Sequence, residues 1–311
     1  MEIKKLLINL KNPVDAFSIK PHHIDAIRVA FPDTQIEVTE SNSIFRDSLA
    51  DADCVLTWVF KQEWYANAPN LKAVFTPAAG HDWVAADQSG RVRNFYGRFH
   101  GKIMRESLLS MMLYFNRNLK KSQVDQSNKV WGRFGYNDCA ALFNQQVLIV
   151  GFGSLGQSMA ELLKAFGAGV TAVKRSITGF ENHPLADRII TFDQLELELP
   201  NADHVVLVLP GGSETEGIFS ARLFNAMKQG SYLYNLGRGN CYHEQDLISA
   251  LQSGRLAGAG LDVFAEEPLP ETSPLWEQPD VLITPHSSAI SREYIDLFIQ
   301  EWIETVIPIP Y

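Results

Sequence analysis

The chain has only three cysteines, Cys54, Cys139 and Cys241, widely spaced and in no Cys-x-x-Cys arrangement. That excludes a disulfide framework and a cysteine-built zinc site, and no other cluster suggests a metal. No apolar run approaches the ~20 residues a helix needs to cross a bilayer. Before Lys11 the apolar stretch is too short for a signal peptide, so the expected location is the cytoplasm. Positive charge is scarce as well. With 27 Lys and Arg against 36 Asp and Glu, the net charge is −9. Such a balance argues against nonspecific binding to nucleic acid or to an anionic membrane. Internal repeats and low-complexity segments are lacking. What is there is a globular composition, 46% hydrophobic and 20% charged, in 311 residues, enough for two domains with separate cores.

Strand and helix signals alternate along the chain. Short β-like runs at Ile3–Leu10, Gln35–Val38, Cys54–Trp58 and Ala73–Phe75 are separated by helix-compatible or turn segments. They predict a small parallel α/β domain. Apolar residues at 104, 108, 111, 112, 115 and 119 predict one long helix from Met104 to Lys121. A polar, aromatic-bearing stretch, Ser122 to Phe143, comes next. Further strands are expected at Arg188–Thr191, His204–Leu209, Ser231–Asn235, Gly258–Asp262 and Val281–Thr284, and a last helix at Ile290–Thr305.

Between these halves lies the most informative segment. The run Val147–Val150 leads into Gly151-Phe152-Gly153-Ser154-Leu155-Gly156, then a helix-compatible stretch, then a second β-rich run, Val170–Val173. Strand, glycine turn, helix, strand is the unit that binds dinucleotides. Gly151 permits the tight turn, Gly153 lets backbone approach a pyrophosphate, and Gly156 lets helix pack on strand. The helix N-terminus presents N–H groups to the phosphates. A cofactor with an unmodified ribose diol is usually held by a carboxylate about 20 residues beyond the glycines. Here the position reads Lys174-Arg175-Ser176, and no carboxylate lies between Glu161 and Glu181. A guanidinium and an ammonium attract a 2′-phosphate that a carboxylate would repel. The expectation is therefore NADP, with a solvated basic pair at a strand end as the alternative.

Three more signals follow, each just after an expected strand. They are Asn235-Leu236-Gly237-Arg238-Gly239, then Leu261-Asp262-Val263-Phe264-Ala265-Glu266-Glu267-Pro268, then Ile283-Thr284-Pro285-His286-Ser287-Ser288. Sites in open α/β sheets form at the carboxyl ends of strands. Taken singly, the Arg reads equally well as a turn residue and the His as structural. Together, at three successive strand ends of a nucleotide-binding sheet, an Arg, a carboxylate and a His point to a site rather than to three incidental residues. An Arg so placed can meet a carboxylate bidentately.

In their order and spacing, GFGSLG, LPGGSETEGIF, NLGRGN, AGLDVFAEEPLP and LITPHSSA resemble the D-isomer-specific 2-hydroxyacid dehydrogenase family over nearly the whole chain. Within that family the glyoxylate/hydroxypyruvate reductase branch is the most similar. The resemblance implies two doubly wound parallel-sheet α/β domains. One is a Rossmann-type cofactor domain, residues 100–287. The other is a smaller, flavodoxin-like substrate domain built from residues 1–99 and 288–311, with a cleft between the two. It implies that Arg238 anchors the substrate, that His286 exchanges the proton, and that Glu267 pairs with His286. Glu267 is chosen over Glu266 because the family's carboxylate directly precedes the proline.

By the same likeness Leu209, Pro210, Thr215, Leu236, Gly237, Asp262, His286 and Ser288 line the cofactor site with the glycine turn and Lys174–Ser176. Backbone N–H groups around Ala79, Gly80 and His81, before Asp82, would meet the substrate carboxylate, with Trp58 as a pocket wall. His81 departs from the small apolar residue expected there, and either lines the pocket or points to solvent. The region around Trp131 resembles the family's dimer-forming segment, which implies a homodimer; Trp131 either reaches the partner's cleft or stays in the interface. The activity implied is NADPH-dependent reduction of glyoxylate or hydroxypyruvate. Alternatives are an NAD-dependent D-2-hydroxyacid or 3-phosphoglycerate dehydrogenase and, in another class, a nicotinamide-sensing corepressor-like protein.

Overall fold

The computed structural model describes residues 2–81, 83–180 and 182–307. In chain order, β1 (Lys5–Asn9), α1 (Pro21–Ala30), β2 (Gln35–Val38), α2 (Asn42–Asp47), β3 (Cys54–Thr57), β4 (Ala73–Thr76) and β5 (Arg93–Tyr96) come first. Helices α3 (Gly101–Asn116) and α4 (Leu119–Ser127) follow. Next are β6 (Gln146–Val150), α5 (Ser154–Ala165), β7 (Gly169–Val173), β8 (Arg188–Ile190), α6 (Leu195–Glu198) and β9 (His204–Leu207). The last elements are α7 (Ala221–Ala226), β10 (Ser231–Asn235), α8 (Glu244–Gln252), β11 (Leu256–Leu261), β12 (Val281–Ile283) and α9 (Tyr294–Val306). They form two compact units, Met1–His100 with Ile290–Tyr311, and Gly101–Ala289.

The first unit is built on a parallel sheet of order β2-β1-β3-β4-β5, a flavodoxin-like arrangement. Strands β3 and β4 are buried along their whole length, as expected of a parallel sheet covered on both faces. Leu7, Val55 and Val74 pack on one face against Phe45, Phe60 and Trp64. Helix α9 buries Ile295, Phe298, Ile299 and Trp302, a spacing that keeps all four on one stripe. Its Trp302 ring meets Phe75 of β4 edge-on at 6.3 Å. Strand β5 was not expected from the sequence. Among the described residues it is an edge strand paired with β4 alone, and its first two residues, Arg93 and Asn94, break the apolar pattern.

The second unit carries a seven-stranded parallel sheet, β12-β11-β10-β9-β6-β7-β8. Strand order reverses between β6 and β9, the switch point at which such sheets bind ligands. Alternation along β6 decides which residues meet which layer. Val147 and Ile149 pack with Met104, Leu108, Met159 and Leu163, whereas Leu148 and Val150 pack with Phe219, Leu223 and Leu247.

One expected element is corrected. The helix foreseen over Met104–Lys121 is two helices, broken at Arg117–Asn118. Asn118 adopts φ +49°, and its side chain accepts from the Lys121 N–H to start α4. Asn is among the few residues that tolerate this left-handed conformation while capping a helix. The last helix begins at Tyr294 rather than Ile290, after a turn in which the Tyr294 N–H donates to the Ser291 carbonyl.

Candidate functional site

Strand β6 ends in the glycine turn. Gly151 has φ +108°, and a Cβ there would lie 2.6 Å from the Val208 carbonyl oxygen. At Gly156 a Cβ would come within 2.2 Å of the Gly151 oxygen, so helix α5 packs on the turn with no room for a side chain. At Gly153, by contrast, nothing lies within 4 Å of that position. The turn is thus closed underneath and open above. No side chain caps α5. Its first N–H groups, at Ser154 and Leu155, suit an anion. These residues fit a dinucleotide pyrophosphate.

Lys174, Arg175 and Ser176 follow β7. The Lys174 Nζ sits 4.3 Å above the Phe180 ring. Ser176 Oγ accepts from the Thr178 N–H at 3.3 Å. Arg175 Nη2 donates to Glu214 Oε2 at 2.5 Å, with both side chains exposed. Glu214 belongs to the turn after β9 and was not singled out in the sequence. In that same turn Thr215 Oγ1 donates to the Pro210 carbonyl at 2.7 Å. Leu209 is buried between the two glycine-bearing turns. Its Cδ2 faces Gly151, and its backbone lies against Gly237, where a Cβ would be 2.6 Å from the Leu209 oxygen.

The next three strand ends carry the other candidate residues. Beyond β10, the Leu236 N–H donates to the Leu207 carbonyl at 3.1 Å and the side chain is buried. Fully buried Asn235 clamps the turn that presents Arg238. Its Oδ1 accepts from the Gly237 N–H at 3.1 Å, and its Nδ2 donates to the Arg238 carbonyl at 3.0 Å. This positioning role was missed, although an Asn two residues before a turn glycine is a recognisable signal. Beyond β11, Asp262 is fully buried. Its Oδ1 accepts from the Thr284 hydroxyl at 2.6 Å and the Ser287 N–H at 2.8 Å, and both oxygens accept from the Ser288 N–H at 3.1 Å. A buried carboxylate is tolerable only when satisfied in this way.

Beyond β12, His286 sits at φ +48°. Its N–H donates to the Asp262 carbonyl at 2.8 Å and the Thr284 carbonyl at 3.0 Å. A non-glycine residue in this region costs about 1–3 kcal/mol and persists only where its surroundings dictate it. His286 Nδ1 lies 2.7 Å from Glu267 Oε2, while Glu267 Oε1 accepts from the Phe264 N–H at 2.9 Å. The carboxylate on the imidazole is thus Glu267, itself held by backbone. Cys241, under the Arg238 turn, has its thiol pushed up to about 12 by burial, so it is no nucleophile at neutral pH.

In the first unit, Trp58 follows β3; its Nε1 donates to the Phe17 carbonyl at 3.1 Å and its ring stacks on Tyr294. Ala79, Gly80 and His81 follow β4, and the exposed His81 ring stacks on Tyr96 at 3.9 Å. Asp82 lies outside the described residues. Among those residues, one group gathers metal-type ligands: His22, His23 and Asp296. His23 Nδ1 accepts from the Lys20 N–H at 2.8 Å. A neutral ring so engaged carries its proton on Nε2, the atom that faces Asp296, and has no lone pair there for a metal.

Residues 109–288 match the family model of the D-isomer specific 2-hydroxyacid dehydrogenase NAD binding domain. Glyoxylate/hydroxypyruvate reductase A of Serratia proteamaculans is 34% identical over 256 residues, which cover 77% of this chain and 78% of that protein. Among solved structures, a D-isomer specific 2-hydroxyacid dehydrogenase family protein from Aeromonas salmonicida superposes with a TM-score of 0.79. It is 30% identical, over 99% of this chain and 97% of that one. The NADPH-dependent glyoxylate/hydroxypyruvate reductase of Sinorhizobium meliloti, in complex with NADP and sulfate, gives a TM-score of 0.75 at 26% identity, over 97% and 94% of the two chains. With both sheets, the glycine turn and the matched domain in agreement, the chain belongs to the D-isomer-specific 2-hydroxyacid dehydrogenase family and is an NAD(P)-dependent oxidoreductase.

Proposed function

We propose that the protein reduces a small 2-oxo acid, glyoxylate or hydroxypyruvate, to the D-2-hydroxy acid and prefers NADPH. The observation that supports this most is the 2.7 Å contact between His286 Nδ1 and Glu267, in the same unit as Arg238 on its clamped turn. A bound nicotinamide cofactor supplies the hydride. Arg238 pairs with the substrate carboxylate and polarises the carbonyl, so negative charge gathering on that oxygen is met by a fixed cation. Glu267 holds Nδ1–H, which leaves proton transfer to Nε2. The imidazolium gives that proton to the alkoxide as it forms, and the half-exposed ring regains one from solvent. Asp262 keeps the 284–288 segment, and with it the ring, in place. Ser154, Leu155 and the glycines would hold the pyrophosphate, and Lys174, Arg175 and Ser176 the 2′-phosphate.

A small oxo acid carries one carboxylate, and one Arg at these strand ends answers it; among the described residues no second basic cluster there suits a phosphate tail. Steady-state rates with glyoxylate, hydroxypyruvate and 3-phosphohydroxypyruvate, each with NADPH and NADH, test the reading. The expected ranking places both small acids about tenfold or more above the phosphorylated one, as loss of roughly 1.4 kcal/mol or more of complementarity would give. A phosphorylated substrate with the best kcat/KM overturns the substrate assignment. Equal kcat/KM with both cofactors overturns the NADPH preference.

A further inference from the structure

Glu214 and Arg175 stand 39 residues apart and close a 2.5 Å ion pair. Arg175 lies just beyond β7 and Glu214 in the turn beyond β9, with β6 lying between these strands in the sheet. The pair therefore forms across the end of β6, where the glycine turn stands. With side-chain exposures of 77% and 73%, neither partner is forced into the contact by burial. The turn that carries Glu214 is well anchored. Thr215 is buried and bonds back to the Pro210 and Gly212 carbonyls, and the Gly217 N–H donates to the Asn240 carbonyl at 2.9 Å.

We propose that Glu214 is a cofactor-selectivity residue that acts by occupying Arg175. The inference rests on the reading that Arg175 faces the 2′ position of the adenosine ribose. A 2′-phosphate must compete with the Glu214 carboxylate for the guanidinium fork, whereas a ribose diol need not. In NAD sites an Asp or Glu at the end of the second strand meets the diol directly, whereas Glu214 acts on the guanidinium. Here the acid comes from a different strand end, so the chain keeps a basic residue and an acidic one at the same position. Glu214 thus holds the selectivity for NADPH below what Lys174 and Arg175 alone would give.

The experiment measures selectivity for NADPH over NADH in two ways, as the ratio of kcat/KM values and as the ratio of association constants from fluorescence titration without the oxo acid, in the parent enzyme and in Glu214→Gln, Glu216→Gln, Arg175→Ala and the Arg175→Ala/Glu214→Gln double variant. Glu214→Gln should raise each ratio about fivefold, the upper range for release of an exposed ion pair. The rise should vanish in the Arg175→Ala background, because the effect passes through that side chain. Glu216 lies in the same turn and tests for mere net charge; its substitution should move the ratio less than about twofold. An unchanged ratio in Glu214→Gln, an equal rise in Glu216→Gln, or a rise that persists without Arg175 overturns the proposal. A parent enzyme without NADPH preference whose ratio still rises on Glu214→Gln would refute the preference alone and leave the role of Glu214 standing.

Discussion

Glu267 makes two contacts that fix its orientation, one oxygen on the Phe264 N–H and the other on His286 Nδ1. At the scale of the single residue this makes the two side chains one hydrogen-bonded pair. His286→Ala should lower kcat with glyoxylate by about 10²-fold or more, because proton transfer by a positioned group contributes that much. Binding of NADPH, followed by fluorescence titration, should stay within about threefold. Glu267→Gln keeps the shape but loses the charge and one acceptor, and should cost about tenfold or more in kcat, the ionic hydrogen bond being the stronger part. If His286→Ala retains the parent kcat, the proton comes from elsewhere. The places of Arg238 and His286 at strand ends were readable because each follows an apolar strand, whereas the choice of Glu267 came from the family resemblance. Glu214 was not readable, because its partner is 39 residues away and only the order of strands brings the two together. Its neighbours in LPGGSETEGIF read as a turn, and a turn acid reads as solvated until a strand end is set beside it.

At the scale of elements, His204 on β9 joins β10 and the start of β6 in one buried network. Its Nδ1 accepts from the Tyr234 hydroxyl at 3.1 Å, and its Nε2 donates to Gln145 Oε1 at 2.9 Å, which also accepts from Asn116 of α3 at 2.6 Å. Burial holds the imidazole at about 4, well below its ordinary range, so it is neutral in the folded state. The unfolded chain takes up a proton near 6.5, the folded one only near 4. Stability is therefore whole above about pH 6.5 and is lost as pH falls toward 4. Between pH 7 and 5 the loss should be about 2 kcal/mol in urea unfolding of the second unit's signal. His204→Gln should be less stable at pH 7 yet lose about 2 kcal/mol less over that interval; parallel losses in both proteins would assign the acid sensitivity elsewhere. Strand positions were readable here because β6, β9 and β10 are apolar runs long enough to stand out. The α3–α4 break was not readable, since the apolar spacing carries on through 115 and 119 while Asn118 turns the backbone. Periodicity reports which face is buried; it does not report a single left-handed residue. Strand β5 escaped for the opposite reason, an edge position that needs no apolar alternation.

At the scale of the whole molecule, the segment from α4 to β6 presents apolar groups to solvent that the rest of the second unit does not cover. Trp131 is 90% exposed and Tyr136 98%, with Leu119, Val124, Val130, Phe134 and Phe143 also exposed. Scattered apolar residues on a surface need no explanation, but several in one run mark an interaction site. We propose that a second copy of the chain covers it, in keeping with the preference of soluble oligomers for twofold symmetry and of interfaces for Trp and Tyr. Sedimentation equilibrium at micromolar concentration should give the mass of a dimer. Trp131→Asp combined with Tyr136→Asp should raise the dissociation constant about 30-fold or more, since a buried aromatic anchor is commonly worth 2 kcal/mol or more. Helix α4, which carries Leu119 and Val124, has no buried side chain in the single chain. Because its helical length alone is marginal in water, its order should depend on that partner. Hydrogen exchange gives the independent check. Residues 119–143 should be protected in the parent at high concentration and should lose protection both on dilution and in the double variant. A parent that sediments as a monomer with this segment already protected would show that the apolar run is held by its own chain.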